Sequence, residues 1–190
     1  MSEYRDRFFG LYQQHINRDG NVELLDWLDK RTDFFVAPAS TRFHGAHSEG
    51  LVIHSLNVFD LLFKRNEAEN SENPESVAIV ALLHDVCKAE FYKETTRNVK
   101  NDITGQWEKV PYYSIEDKFP FGHGEKSVFL IERFMRLKPA EAIAIRWHMG
   151  GFDDRVKGGN FSLSTTFEKY PLALELHIAD MRASFITEKT

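Results

Sequence analysis

The sequence predicts an all-α fold, a single helical bundle carrying a small β-hairpin insertion at about residues 92–114. Three observations lead there. Apolar residues recur at three- and four-residue spacing through most of the 190 positions, the repeat of helices with one buried face. Residues 77–83, Val-Ala-Ile-Val-Ala-Leu-Leu, are apolar on every side, and such a helix belongs in the middle of a core. Between 91 and 121 the character changes. Tyr92, Thr95, Thr96, Val99, Trp107, Val110, Tyr112 and Tyr113 flank Asn101-Asp102-Ile103-Thr104-Gly105, the composition of two strands and a turn.

In chain order, Phe8, Leu11, Tyr12 and His15 stand at helical spacing within 3–16, and Asp19-Gly20-Asn21 ends that helix. Asn21 is the expected cap of a second helix that buries Val22, Leu25 and Leu28. Residues 34–46 form a connection, and Gly50 leads into a helix over about 51–65. A polar loop at 67–74 precedes the apolar helix. After the hairpin, a helix is expected over about 125–137. Pro139 suits the first turn of the next, which stops at Met149-Gly150-Gly151. Residues 152–170 read as a long loop, and loops of that length in a compact domain are more often functional than idle. Pro171 opens the last helix, to about 186.

A length of 190 residues at 42% apolar fits one domain, with N-terminal helices (1–35) packed on a core of about 43–186. A net charge of −5 argues against a surface for duplex nucleic acid but is compatible with a local basic pocket. The single cysteine, Cys87, excludes an internal disulfide framework and fits a reducing cytosol. The first residues are charged with no apolar signal region behind them, and no apolar run nears the roughly 20 residues of a membrane span. A cytoplasmic protein without membrane contact is expected, and no oligomeric state is implied.

The apolar run at 77–83 ends on His84 and Asp85. A carboxylate there is costly to bury unless it meets a cation. Other histidines and acids occupy inward positions. His54 has Leu51, Val58 and Leu61 at i−3, i+4 and i+7. His123 sits between two glycines, His148 ends a helix behind Ala144 and Ile145, and Asp180 lies on the side of Leu176 and Ala183. Imidazole and carboxylate together suit divalent Fe, Mn, Co, Ni or Zn. Each residue taken alone also fits a hydrogen-bonded core position, so the residues themselves support a buried His/Asp cluster and leave metal binding open.

The order His54, His84-Asp85, Asp180 resembles the HD superfamily of metal-dependent phosphohydrolases, whose pattern is H…HD…D on a helical bundle. Gly50-Leu51-Val52-Ile53-His54-Ser55-Leu56-Asn57-Val58, Ala81-Leu82-Leu83-His84-Asp85-Val86-Cys87-Lys88 and Leu176-His177-Ile178-Ala179-Asp180 carry the resemblance. It implies that His54, His84, Asp85 and Asp180 hold one ion. It also implies that Asp85 bridges to a second ion on His123 and His148. Catalysis would rest on Asp85 with Lys88, whose ammonium neutralises phosphate. His44, Lys88, Arg155 and Lys157 are the candidate substrate contacts, the last two as a lid on the 152–170 loop. A solvated loop accounts for that pair equally well. Trp107, Tyr112 and Tyr113 fit either base stacking or hairpin packing, His177 fits a supporting hydrogen bond, His47 a solvent-exposed position and His15 a structural place.

The implied activity is hydrolysis of a phosphomonoester or phosphodiester, with a small phosphorylated substrate of the nucleotide or short-oligonucleotide class. A di-iron HD-fold oxygenase and a non-catalytic metal- or nucleotide-binding module share the ligand types. The sequence departs from the family at Cys87, where a glycine is frequent, a change expected to alter local backbone freedom and little else.

Overall fold

The computed structural model describes residues 2–189. Helices α1 (Glu3–His15) and α2 (Asn21–Arg31) lead to α3 (Gly50–Glu69) and α4 (Pro74–Leu83). The antiparallel hairpin of β1 (Tyr92–Lys100) and β2 (Trp107–Ile115) follows. Then come α5 (His123–Glu132), α6 (Pro139–Trp147), the short α7 (Asp154–Lys157), α8 (Ser162–Lys169) and α9 (Pro171–Arg182). The last of these continues into a π-helical turn, Ala183–Thr187. This is the mostly helical architecture with a β-hairpin that the periodicity predicts.

Helix α4 is the central post. Asn73 caps it by accepting from the Glu75 and Ser76 amides at 3.0 and 3.2 Å, and Pro74 takes the first turn, where a missing N–H costs nothing. Every side chain from 77 to 83 is fully buried, with α1, α3, α6 and α9 packed around the helix. Burial of Val77, Ile79, Val80, Leu82 and Leu83 contributes on the order of 10 kcal/mol, at about 2 kcal/mol each. A continuous hydrophobic cluster of the described residues runs from Phe8 to Ala183, so α1 and α2 share the core of the later helices. His15 packs its ring against Phe59 and Phe63.

Several local expectations are corrected. Asn21 does not cap α2. Gly20, at φ 84°, holds the cap position, and the Asn21 amide donates to the Ile16 carbonyl at 2.7 Å, closing the corner after α1. Val22, in the first turn, is exposed, while Leu24 joins the expected Leu25 and Leu28 in the core. The 152–170 stretch is not a loop: α7 and α8 occupy most of it, and α8 packs on α6 and α9. The hairpin stands off the bundle with most of its residues exposed, Trp107 at 71%. Its register runs from Tyr92 opposite Ile115 to Lys100 opposite Trp107. Among the described residues no helix is long and apolar enough to cross a membrane.

A buried ionic knot ties the first corner to the bundle. Glu141 in α6 accepts from both terminal nitrogens of Arg18 (2.7 and 3.0 Å), from Ser76 Oγ (2.6 Å) and from the Lys138 amide (2.7 Å). Arg18 also reaches Glu75 at 2.8 Å.

Candidate metal centre

Four helix segments converge on one spot. His54 projects from α3, His84 closes α4 with Asp85 next to it, His148 closes α6, and Asp180 projects from α9. His123 is the first residue of α5, after Gly122 at φ 94°. The contacts of α4 with α3, α6 and α9 are what bring these ends together.

Asp85 stands between two imidazole pairs. Its Oδ2 lies 3.6 Å from His54 Nε2 and 3.5 Å from His84 Nε2, while its Oδ1 lies 2.8 Å from His123 Nε2 and 3.5 Å from His148 Nε2. On the first side, His54 Nε2 is 3.3 Å from His84 Nε2 and 3.2 Å from Asp180 Oδ1. Nitrogen and oxygen ligands bound to one ion at about 2.05 Å stand about 3.3 Å apart at tetrahedral angles, so these separations suit a shared cation.

The histidine tautomers point the same way. His84 and His148 each donate Nδ1–H to the carbonyl three residues back, Ala81 at 2.9 Å and Ile145 at 2.6 Å, which leaves both Nε2 lone pairs facing the cluster. His148 Nε2 is buried with no hydrogen-bond partner among the described residues, facing Asp85 Oδ1. A buried ring nitrogen without a partner is costly. A cation beside it supplies the partner, and on that observation the donor set fits divalent metal.

Electrostatics agree. Burial pushes His84 down to about 3, so its imidazole is neutral and its lone pair available. Burial also pulls His54 down, but hydrogen bonds to Asp180 and Glu188 outweigh it and lift the ring to about 9. Negative charge that holds a proton on His54 holds a metal cation equally well. Burial acts on His123 in the same sense and is outweighed by the Cys87 sulfur and Asp85, which bring it to about 10. Burial pushes Asp85 up, yet the Lys88 ammonium and a hydrogen bond with His123 hold it well below the usual carboxylate range.

Supporting contacts fix the candidate ligands. Sequence reasoning missed Glu188, which accepts from His54 Nδ1 at 3.0 Å and from the Asn57 amide at 3.0 Å. It lies 134 residues from His54, beyond the expected end of the last helix, and no spacing signal links the two. The π-helical turn sets it over the ring. Glu188→Gln is expected to weaken metal binding roughly 10- to 100-fold while the fold stays intact, by titration calorimetry set against circular dichroism. His177 donates Nδ1–H to the His148 carbonyl at 2.7 Å, and its ring occupies the space a side chain on Gly150 would need. Gly150 is further required by its φ of 53°.

The centre floors a cavity of about 720 Å³. Lys88 reaches Asp85 Oδ2 at 2.7 Å, and although burial disfavours its charge, Asp85 raises its pKa overall. His44 lines the wall, with its ring 5.0 Å from that of His54 and its Nε2 3.3 Å from Ser184 Oγ. Lys157 lines it too. Arg155 does not: it pairs with Glu125 at 3.2 Å, because α7 turns it toward α5. In its place the wall carries Arg42, Lys189, Phe43, Phe152 and Phe185, none of them singled out by the sequence, since all lie outside the motif blocks. Trp107, Tyr112 and Tyr113 are not part of the wall, and His47 is exposed with its ring on the Ser48 carbonyl.

A family model described as HD domain matches residues 51–181, more than half of the chain. No curated protein and no solved structure matches the chain.

Proposed function

The chain belongs to the HD-domain family, a superfamily of metal-dependent phosphohydrolases, and on that premise we propose that it hydrolyses a phosphomonoester or phosphodiester bond of a nucleotide or short oligonucleotide. The observation that carries the proposal is Asp85, whose two carboxylate oxygens face two separate imidazole pairs on the floor of an open cavity. His54, His84, Asp85 and Asp180 would hold one divalent ion, and His123, His148 and Asp85 a second. When bound, such ions polarise a water and the phosphate oxygens.

The rest of the cavity suits an anionic substrate with an aromatic part. Lys88 offers an ammonium beside Asp85, and Arg42, Lys157 and Lys189 add positive charge to the walls, a local basic pocket in a chain of net charge −5. Phe43, Phe152 and Phe185, between 49% and 68% exposed, present faces on which a base can stack. Phe152 and Phe185 already lie parallel with ring centroids 6.4 Å apart. His44 stands between this wall and the ligands, where it can donate to or accept from a substrate oxygen.

The test loads the purified protein separately with Mn, Fe, Co, Ni and Zn. Each form is then assayed on nucleoside monophosphates, cyclic nucleotides and short oligonucleotides. Metal-dependent release of phosphate or nucleotide is expected. Protein that holds metal and cleaves none of these overturns the reading, and substrate-linked oxygen uptake by the iron form would replace it with oxygenase chemistry.

A further inference from the structure

We propose that Arg146 is the positioning residue of the second ion position: its guanidinium bridges the start of α5 to the cap of α7 and so holds the His123 and His148 rings on one oxygen of Asp85. This rests on the metal reading above and deepens it, giving that position a support separate from the one Glu188 gives His54.

Arg146 lies in the last turn of α6, just before His148, and Glu125 lies in the first turn of α5, just after His123. Arg146 Nε meets Glu125 Oε1 at 2.7 Å, so one ion pair ties together the two helix ends that carry His123 and His148. The backbones meet at the same place. A Cβ on Gly124 would collide with the Arg146 carbonyl, so glycine is what permits this approach of α5 to α6. On its other side Arg146 donates from a terminal nitrogen to Asp153 Oδ2 at 2.8 Å, and Asp153 caps α7 by accepting from the Arg155 amide at 2.9 Å. The side chains of Asp153, Arg146 and Glu125 are 7%, 13% and 19% exposed, where ion pairs are little screened. Arg155 adds a second cation to Glu125 at 3.2 Å, but at 64% exposure it contributes little.

The link reaches the site through His123. Both rings meet Asp85 Oδ1, His123 Nε2 at 2.8 Å and His148 Nε2 at 3.5 Å, with ring centroids 5.2 Å apart. His148 is oriented from within its own helix by the Ile145 carbonyl. His123 is the first residue of α5, and its place depends on how that helix end is docked. A guanidinium suits the task. Its nitrogens lie in one rigid plane and meet two carboxylates in different directions at once, and that plane rests 4.3 Å from the centre of the Trp147 ring. Lysine would bring the same charge on a single nitrogen and lose the fork.

The experiment titrates Co(II) into the purified full chain, freed of metal with chelator, and follows binding by calorimetry. The second position is the binding event that disappears in His123→Ala. In Arg146→Lys that event is expected to weaken roughly 10- to 100-fold, the usual effect of losing a contact behind a ligand, while the other keeps its affinity. Glu188→Gln, which acts through His54, is expected to do the reverse. A purely structural role would lower the melting temperature of Arg146→Lys and either leave both affinities unchanged or weaken both alike. Either pattern overturns the proposal. If Arg146→Lys does not fold, Glu125→Gln breaks the same ion pair from its more exposed side and is expected to weaken the same event. An unchanged second ion in Glu125→Gln overturns the proposal as well. A single binding event in the unmutated protein overturns it and leaves a one-ion centre standing, and no cobalt bound at all overturns the metal reading too.

Discussion

Asp85→Asn is expected to lower the rate of the proposed phosphate-ester hydrolysis by about three orders of magnitude, roughly 4 kcal/mol of transition-state stabilisation. The shape of the side chain is kept, but it no longer offers an anionic oxygen to each imidazole pair. His54 and His84 lose their shared neighbour on one side, and His123 and His148 on the other. Lys88, 2.7 Å from the same carboxylate, is left with a buried ammonium that has lost its nearest counter-charge. Metal content should therefore fall together with activity. Asp180→Asn, which touches the first position only, should cost less in metal content than Asp85→Asn. Elemental analysis beside steady-state kinetics checks this, and Asp85→Asn protein with its full metal complement would contradict the bridging role.

The second large effect lies far from the centre. Glu141→Ala is expected to destabilise the protein by about 3–5 kcal/mol, the usual cost of removing one partner from a buried ion pair. Arg18 would lose both of its contacts to that carboxylate, and Ser76 Oγ and the Lys138 amide would lose their acceptor. For a chain of this size the melting temperature should drop by roughly 10 °C. Burial raises the Glu141 pKa, but hydrogen bonds from Arg18 and Ser76 outweigh it, and the net shift is downward. A carboxylate with a lowered folded-state pKa contributes stability above its ordinary range and loses it as pH falls through the folded value. The difference between the unmutated protein and Glu141→Ala should thus be largest near neutral pH and shrink in acid. Thermal unfolding from pH 7 downward tests the sign, and a difference that grew in acid would contradict it.

The candidate ligand residues are legible in the sequence because each is tied to a local signal. His54 falls on the apolar stripe of a helix, His84 and Asp85 end an apolar run, and Asp180 sits in a short block that resembles a known family. The hairpin is legible because aromatic and β-branched residues flank an Asn/Gly turn. Helices α7 and α8 are not. Gly158 and Gly159 separate the two helices, Ser162, Ser164, Thr165 and Thr166 have weak helix propensity, and packing of α8 against α6 and α9 supplies what propensity lacks. The Arg18–Glu141 knot is equally silent in the sequence, since 123 residues separate its partners.

What the sequence alone determines, then, is the mainly helical class, the buried post at 77–83 and the residue types able to hold metal, since these follow from periodicity and from the cost of burying charge. Only the tertiary structure decides which oxygen of Asp85 faces which imidazoles, that Glu188 orients His54, that Lys157 rather than Arg155 lines the cavity, and that Cys87 lies beside His123. The physical reason is distance along the chain. Helical periodicity says which way a side chain faces over a few turns, whereas contacts between elements tens of residues apart are set by how the helices pack.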